Sequence, residues 1–259
     1  MFGSTVLEVV VGLTFCYAAV ALIVSTLQEA LAAALRLRAN CLFAGIKRML
    51  NDPAGNMARA LYGHALVNPH AEGSRPAYIA PRHFAIALLE TIQTIPGDMA
   101  QLGRDIDALS DPQTRRALQG IYQRAGGDLT QIEAALAGWF DSAMERVSAA
   151  YKRRAMMISL ALSLLLAALF NIDSIHLFQS LWQHPALAHQ LSAAPGALDQ
   201  RALDAMWQLP IGWQHFPPRY NGQLAMSMAG WLVTASTALF GAPFWFNLMK
   251  HTVAVRDAH

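Results

Sequence analysis

Charge is scarce in this chain. Asp, Glu, Lys and Arg make up 14% of its residues, where an ordinary soluble domain carries about a quarter. Cysteine is scarcer still, with two in the chain. Cys16 falls in an apolar run and Cys41 just past a basic cluster. Two thiols so placed give neither a disulfide framework nor a zinc site. No strong excess of either sign exists, since the formal net charge is +2. That speaks against a nucleic-acid binder, which shows a basic stripe on one face. The motifs that announce common chemistries are missing too. The chain has no G-x-S-x-G, P-loop, H-E-x-x-H, C-x-x-C or G-x-G-x-x-G. No catalytic, cofactor-binding or metal-ligating residue is assigned from the sequence, and no cofactor is expected.

What is present is apolar surface, in three stretches nearly free of charge. The first is Val9 to Val24, between Glu8 and Glu29. Val6 to Thr26 is long enough for a membrane-spanning helix, which needs about 20 residues to cross about 30 Å of hydrocarbon. A signal peptide would carry Lys or Arg ahead of its apolar core, and Met1 to Thr5 has neither. The second stretch, AMMISLALSLLLAALFNI (155–172), follows Tyr151-Lys152-Arg153-Arg154 and stops at Asp173. The third lies between Arg219 and Lys250, with its apolar part from Leu224 to Leu248. Residues 174–198 are also uncharged but hold Pro185, Pro195, histidines and glutamines. Those groups are costly in hydrocarbon, so this stretch is expected outside it.

The expected fold is an all-α integral membrane protein with three transmembrane helices. Residues 1–35 hold the first, 36–154 a cytoplasmic helical domain and 155–173 the second. Residues 174–221 form a short periplasmic loop with an interfacial helix near Leu198 to Leu209. Residues 222–249 are the third span and 250–259 a cytoplasmic tail. Lys and Arg near span ends mark the cytoplasmic side. Arg36, Arg38, Lys47, Arg48, Arg146, Lys152, Arg153, Arg154, Lys250 and Arg256 then lie inside, against Arg201 and Arg219 outside. Of these Arg36, Arg38, Lys152, Arg153, Arg154 and Lys250 set the topology. They place the N-terminus in the periplasm and the C-terminus in the cytoplasm.

Between the first two spans the pattern is helical. Leu42, Ile46 and Leu50 are four apart, as an amphipathic continuation of the first span would place them. Pro81 suits a first helical position, with Phe84, Leu88 and Ile92 on one face. Pro96-Gly97-Asp98 opens a turn before the next amphipathic helix, and Ser110-Asp111-Pro112 and Asp128 with Gln131 are helix-start signals. No Gly or Pro interrupts Trp139 to Leu181, so the last domain helix and the second span read as one rod.

The third span carries the most specific pattern. Gly230, Thr234, Ala238 and Gly241 or Ala242 put small residues on one face, as close helix packing requires. Pro243 removes a helix hydrogen bond and is expected to kink the span. These residues are candidates for helix packing or gating. Phe244, Trp245, Phe246 and Asn247 follow as a candidate inner-interface anchor. The external histidines His176, His184, His189 and His215 lack the spacing of a one-face metal site, and no metal is assigned.

Four segments carry a resemblance: LRLRANCLFAGIKRML (35–50), PAYIAPRHFAIALLETI (76–92), FDSAMERVSAAYKRR (140–154) and GWLVTASTALFGAPFWFNLM (230–249). Through them the chain resembles a family of uncharacterised bacterial inner-membrane proteins with a C-terminal GAPFWF-type motif. In that family an Asp commonly follows the motif, and here the position is Asn247. The resemblance implies a bacterial inner-membrane location and supplies no activity. The expected partners are the lipid bilayer and a second copy or another membrane protein, with no nucleic acid. The leading expectation is a non-catalytic scaffold or sensor that self-associates. An oligomeric pore or membrane-perturbing effector is the alternative, and a membrane-bound enzyme the second alternative.

Overall fold

The computed structural model describes residues 2–68, 75–184, 211–213 and 222–257. Among these every regular element is a helix: α1 (Phe2–Ala34), α2 (Leu37–Met49), α3 (Asn56–Tyr62), α4 (Pro81–Ile92), α5 (Met99–Asp107), α6 (Pro112–Ala125), α7 (Leu129–Leu169), α8 (Ser174–Gln183), α9 (Gly222–Ala238) and α10 (Ala242–Asp257). The chain divides into two compact units, one of Met1–Leu31 with Arg154–His259, the other of Ala32–Arg153. The interfacial helix expected near Leu198 to Leu209, with Arg201, Arg219, His189 and His215, lies outside the described residues.

The Ala32–Arg153 unit is held by one apolar core. Ile46, Leu50, Leu61, Phe84, Leu88, Leu102, Ile132 and Leu136 are its fully buried large side chains. Phe84 and Phe140 stack at 4.2 Å between ring centres. The helix starts are set by aspartates, as the sequence signals. The Asp98 and Asp111 carboxylates accept the N–H of Gln101 and Thr114, capping α5 and α6. Asp128 accepts from Thr130 and Gln131 to start α7. The Gln131 amide bonds back to the Asp128 carboxylate rather than to its backbone, so the expected capping box is only half formed. Asp52 gathers the N–H groups of Gly55, Asn56 and Ala58 in the same way.

The other unit is apolar. Within α1, Val9–Ala34 is long and apolar enough to cross a bilayer by itself. α7 with α8, and α9 with α10, reach that length and composition only as bent pairs, by 53° and 92°. Two sequence expectations change here, at α2 and at the third stretch. α2 does not continue α1 directly, because Arg36 takes a left-handed conformation at φ 47°. α7 runs unbroken from Leu129 to Leu169, as the rod joining the last domain helix to the second span requires, and ends there. Asn171 turns the chain at φ 47° and Asp173 caps a new helix, a break made without Gly or Pro. The third stretch is not one kinked helix. Gly241 at φ 77° ends α9, and Pro243 sits in the first turn of α10, where a missing N–H costs nothing. α10 then continues through the expected tail to Asp257.

Candidate functional site

Polar side chains inside the apolar unit gather where α7 breaks. A helix end leaves carbonyls without partners, and in an apolar medium each must be satisfied within the protein. Trp213 donates its indole N–H to the Ala168 and Leu169 carbonyls, at 3.2 and 3.1 Å. The Gly212 N–H donates to the Phe170 carbonyl at 2.8 Å, and the Ile172 N–H to Ala167 at 2.8 Å. The Asn171 amide joins both neighbours. Its Nδ2 donates to the Gly212 carbonyl at 3.1 Å, and its Oδ1 accepts the Trp231 indole N–H at 3.0 Å.

One step on, Asp173 is 5% exposed, and Oδ1 accepts the N–H groups of Ile175 and His176. Ser174 and Thr234 are also buried. The Thr234 hydroxyl lies 2.7 Å from the Ile172 carbonyl and 2.7 Å from the Ser174 hydroxyl. It has one proton to give, and the carbonyl can only accept, so Ser174 is the donor to Thr234. The Tyr17 phenol of α1 lies against Ser174. Gly230 is the close-approach point, where a Cβ would overlap the Asp173 carboxylate.

The small-residue face expected on the third stretch is therefore covered by the chain itself. Gly230 and Thr234 face Asp173 and Ser174, while Ala238 and Ala242 pack on Ala18, Ala21 and Val24 of α1. In the single chain this face does not line an open path. Gly241 and Pro243 make the break. Of the expected anchor, Phe244 and Asn247 are exposed and Phe246 is half-buried. Trp245 is buried, not at a surface. Its ring lies 5.0 Å from that of Tyr17, and its N–H caps the Thr237 carbonyl at 2.8 Å. Sequence reasoning placed Asn171 and Asp173 at a span end and missed their joint with α9. The Asn-x-Asp-Ser order, a left-handed former ahead of a cap, was the available signal.

No family model, curated protein or solved structure matches the chain.

The helical domain holds a second feature, a groove of about 660 Å³ between α2, residues 77–81 and α7. Leu42, Ile79, Phe140, Met144 and Val147 form its apolar lining, with Arg38, Asp141, Glu145 and Lys152 the charges along it. Tyr78 stands at this groove 75% exposed, and the Arg38 guanidinium lies over the Tyr151 ring at 5.8 Å. Away from the groove the carboxylates serve the fold. The Thr94 N–H on Asp105, the Thr114 N–H on Asp111 and the Gln131 amide on Asp128 hold these groups below the usual Asp range. For Asp52, burial pushes upward but the backbone donors of Ala58, Asn56 and Gly55 outweigh it. Asp107 accepts from Gln119, and Glu90 pairs with His64 at 2.6 Å. Among the described residues no group of three His, Cys, Asp or Glu side chains is arranged around a metal position.

Proposed function

We propose that the chain is a non-catalytic bacterial inner-membrane protein, a self-associating scaffold or sensor. Its apolar unit sits in the bilayer, and its helical domain faces the cytoplasm. Arg36, Arg38, Lys152, Arg153 and Arg154, at the ends of that domain, support the placement by the positive-inside tendency. The single observation that carries the reading is the groove of about 660 Å³ along α7. Its apolar lining and the Tyr78 ring give a docking partner area to cover, and the acid and base along it give complementarity for a second copy of the chain. The small-residue face of α9 is already occupied within the chain, so self-association falls to the domain.

A photo-crosslinking amino acid at Tyr78 in membranes of a bacterial host tests this. The expected product is an adduct at about twice the 28.2 kDa of one chain, weakened by Met144→Asp and absent when the probe sits at Arg116 on α6. No adduct at Tyr78, or equal adducts at both positions, overturns self-association through the groove.

A further inference from the structure

α1 serves as a ruler for depth in the apolar unit. Near its middle Tyr17 lies against Ser174, which bonds Thr234 of α9. Four residues further along α9, Ala238 packs in a cluster with Ala18, Val20, Ala21 and Val24. So α9 runs toward the C-terminal end of α1. α10 does not continue that way. Ala242 and Trp245 stay in the Ala18–Val24 cluster, Phe246 touches that cluster and the next, and Met249 joins Val9, Val11, Phe15 and Cys16. From Ala242 to Met249 the chain returns toward the N-terminal end of α1, through the 92° bend.

A third crossing would lay α10 along the rest of α1 and the start of the apolar part of α7. Those surfaces are open. Ile23 is 51% exposed, Leu27 42%, Met156 57% and Met157 66%. At that level Gln28 of α1 and Ser159 of α7 bond each other. α9 is also short, since 17 residues at about 1.5 Å each give roughly 25 Å, under the ~30 Å of a hydrocarbon core. The break itself is compatible with burial. The N–H groups of Leu239, Phe240 and Gly241 reach the carbonyls of Ser236, Thr237 and Ala238, as an irregular segment at membrane depth requires.

We propose that α9 and α10 form a re-entrant pair that enters and leaves on the face of the chain's N-terminus, leaving α1 and the bent α7–α8 pair as the two crossings. The C-terminal residues then share the N-terminal face, contrary to the cytoplasmic tail expected from a third span. Lys250, exposed directly after Met249, emerges at that outer face rather than partway through the bilayer. The charge asymmetry survives the change. Arg36, Arg38, Lys47, Arg48, Arg146 and Lys152–Arg154 stay inside, against Arg201, Arg219, Lys250 and Arg256.

The inference rests on the membrane reading, and one experiment separates the two. In a Cys16→Ala, Cys41→Ser background, single cysteines at Ser4→Cys, Gln113→Cys and His259→Cys are exposed to a membrane-impermeant maleimide, in intact and then permeabilised bacteria. The expected result is labelling at 4 and 259 in intact cells and at 113 only after permeabilisation. If 259 sorts with 113, the re-entrant pair is overturned and the membrane reading stands. If all three label alike in intact cells, the membrane reading itself fails. Should the cysteine variants not accumulate, alkaline phosphatase fused after His259 of the unaltered chain gives the same decision, with an inactive fusion overturning the proposal.

Discussion

Gly230→Ala is the smallest change that tests the joint between α8 and α9. Its methyl would overlap the Asp173 carboxylate, so either α9 retreats or the carboxylate swings away. Swinging away uncaps α8, because Oδ1 holds the N–H groups of Ile175 and His176. Losing an N-cap costs about 0.5–2 kcal/mol, and a buried donor left unsatisfied costs about 1–3 kcal/mol. The gain in helix propensity from Gly to Ala returns about 1 kcal/mol. The net expected loss is roughly 0.5–4 kcal/mol. Thermal unfolding of the detergent-solubilised chain, followed by the fluorescence of Trp213 and Trp231 near the joint, measures it. A double-mutant cycle is the stricter test. Asp173→Ala removes the cap and the obstruction together, so Gly230→Ala added to it should cost little or even stabilise. Additive losses, or a neutral Gly230→Ala alone, refute a clash between these two residues as the cause.

Three further outcomes are expected. Trp245→Phe keeps the ring beside Tyr17 but loses the bond to the Thr237 carbonyl, and should lower stability by about 1–3 kcal/mol, read as a fall in Tm. Gly45→Ala places a methyl 2.5 Å from a Val147 methyl in the helical domain; overpacking of this kind costs about 1–3 kcal/mol and should be relieved by adding Val147→Ala. Asp52, Asp105, Asp111 and Asp128 have folded values held below the ordinary 3.8. Their contribution is complete above that value and is lost as pH falls through the depressed folded values. Acid titration of the full chain by circular dichroism should show helix loss there, with a smaller pH dependence in Asp111→Asn.

The helical domain was legible because its helices begin at residues whose chemistry is local. Asp98, Asp111-Pro112 and Asp128 act on N–H groups two or three residues away, so the sequence window contains the whole cause. The apolar unit was not, because its causes are distant in sequence. A hydropathy window registers the length of an apolar run, not whether the backbone inside it stays helical. The α7 break depends on Asn171 finding Gly212 and Trp231, at separations of 41 and 60 residues. The small-residue face on α9 was visible, but the element that covers it was not. Gly230 and Thr234 suit a second copy as well as they suit α8, and only the position of Asp173 and Ser174 decides.

Tryptophan shows the same limit from the other side. In a membrane sequence it reads first as an interfacial anchor, and Trp245 sits where such an anchor is expected. Yet Trp213 and Trp245 donate to helix-end carbonyls, and Trp231 to the side chain that turns the chain. The indole suits these places because it is donor-only, and a broken helix end has carbonyls in surplus. Its wide apolar body fills the space that diverging helix axes open. A replacement with a donor but no ring would leave a void, and a ring with no donor would leave a buried carbonyl unpaired. A Trp close in sequence to a left-handed residue, as Trp245 is to Gly241, inside an uncharged stretch, therefore points to a joint between half-helices as readily as to the bilayer surface.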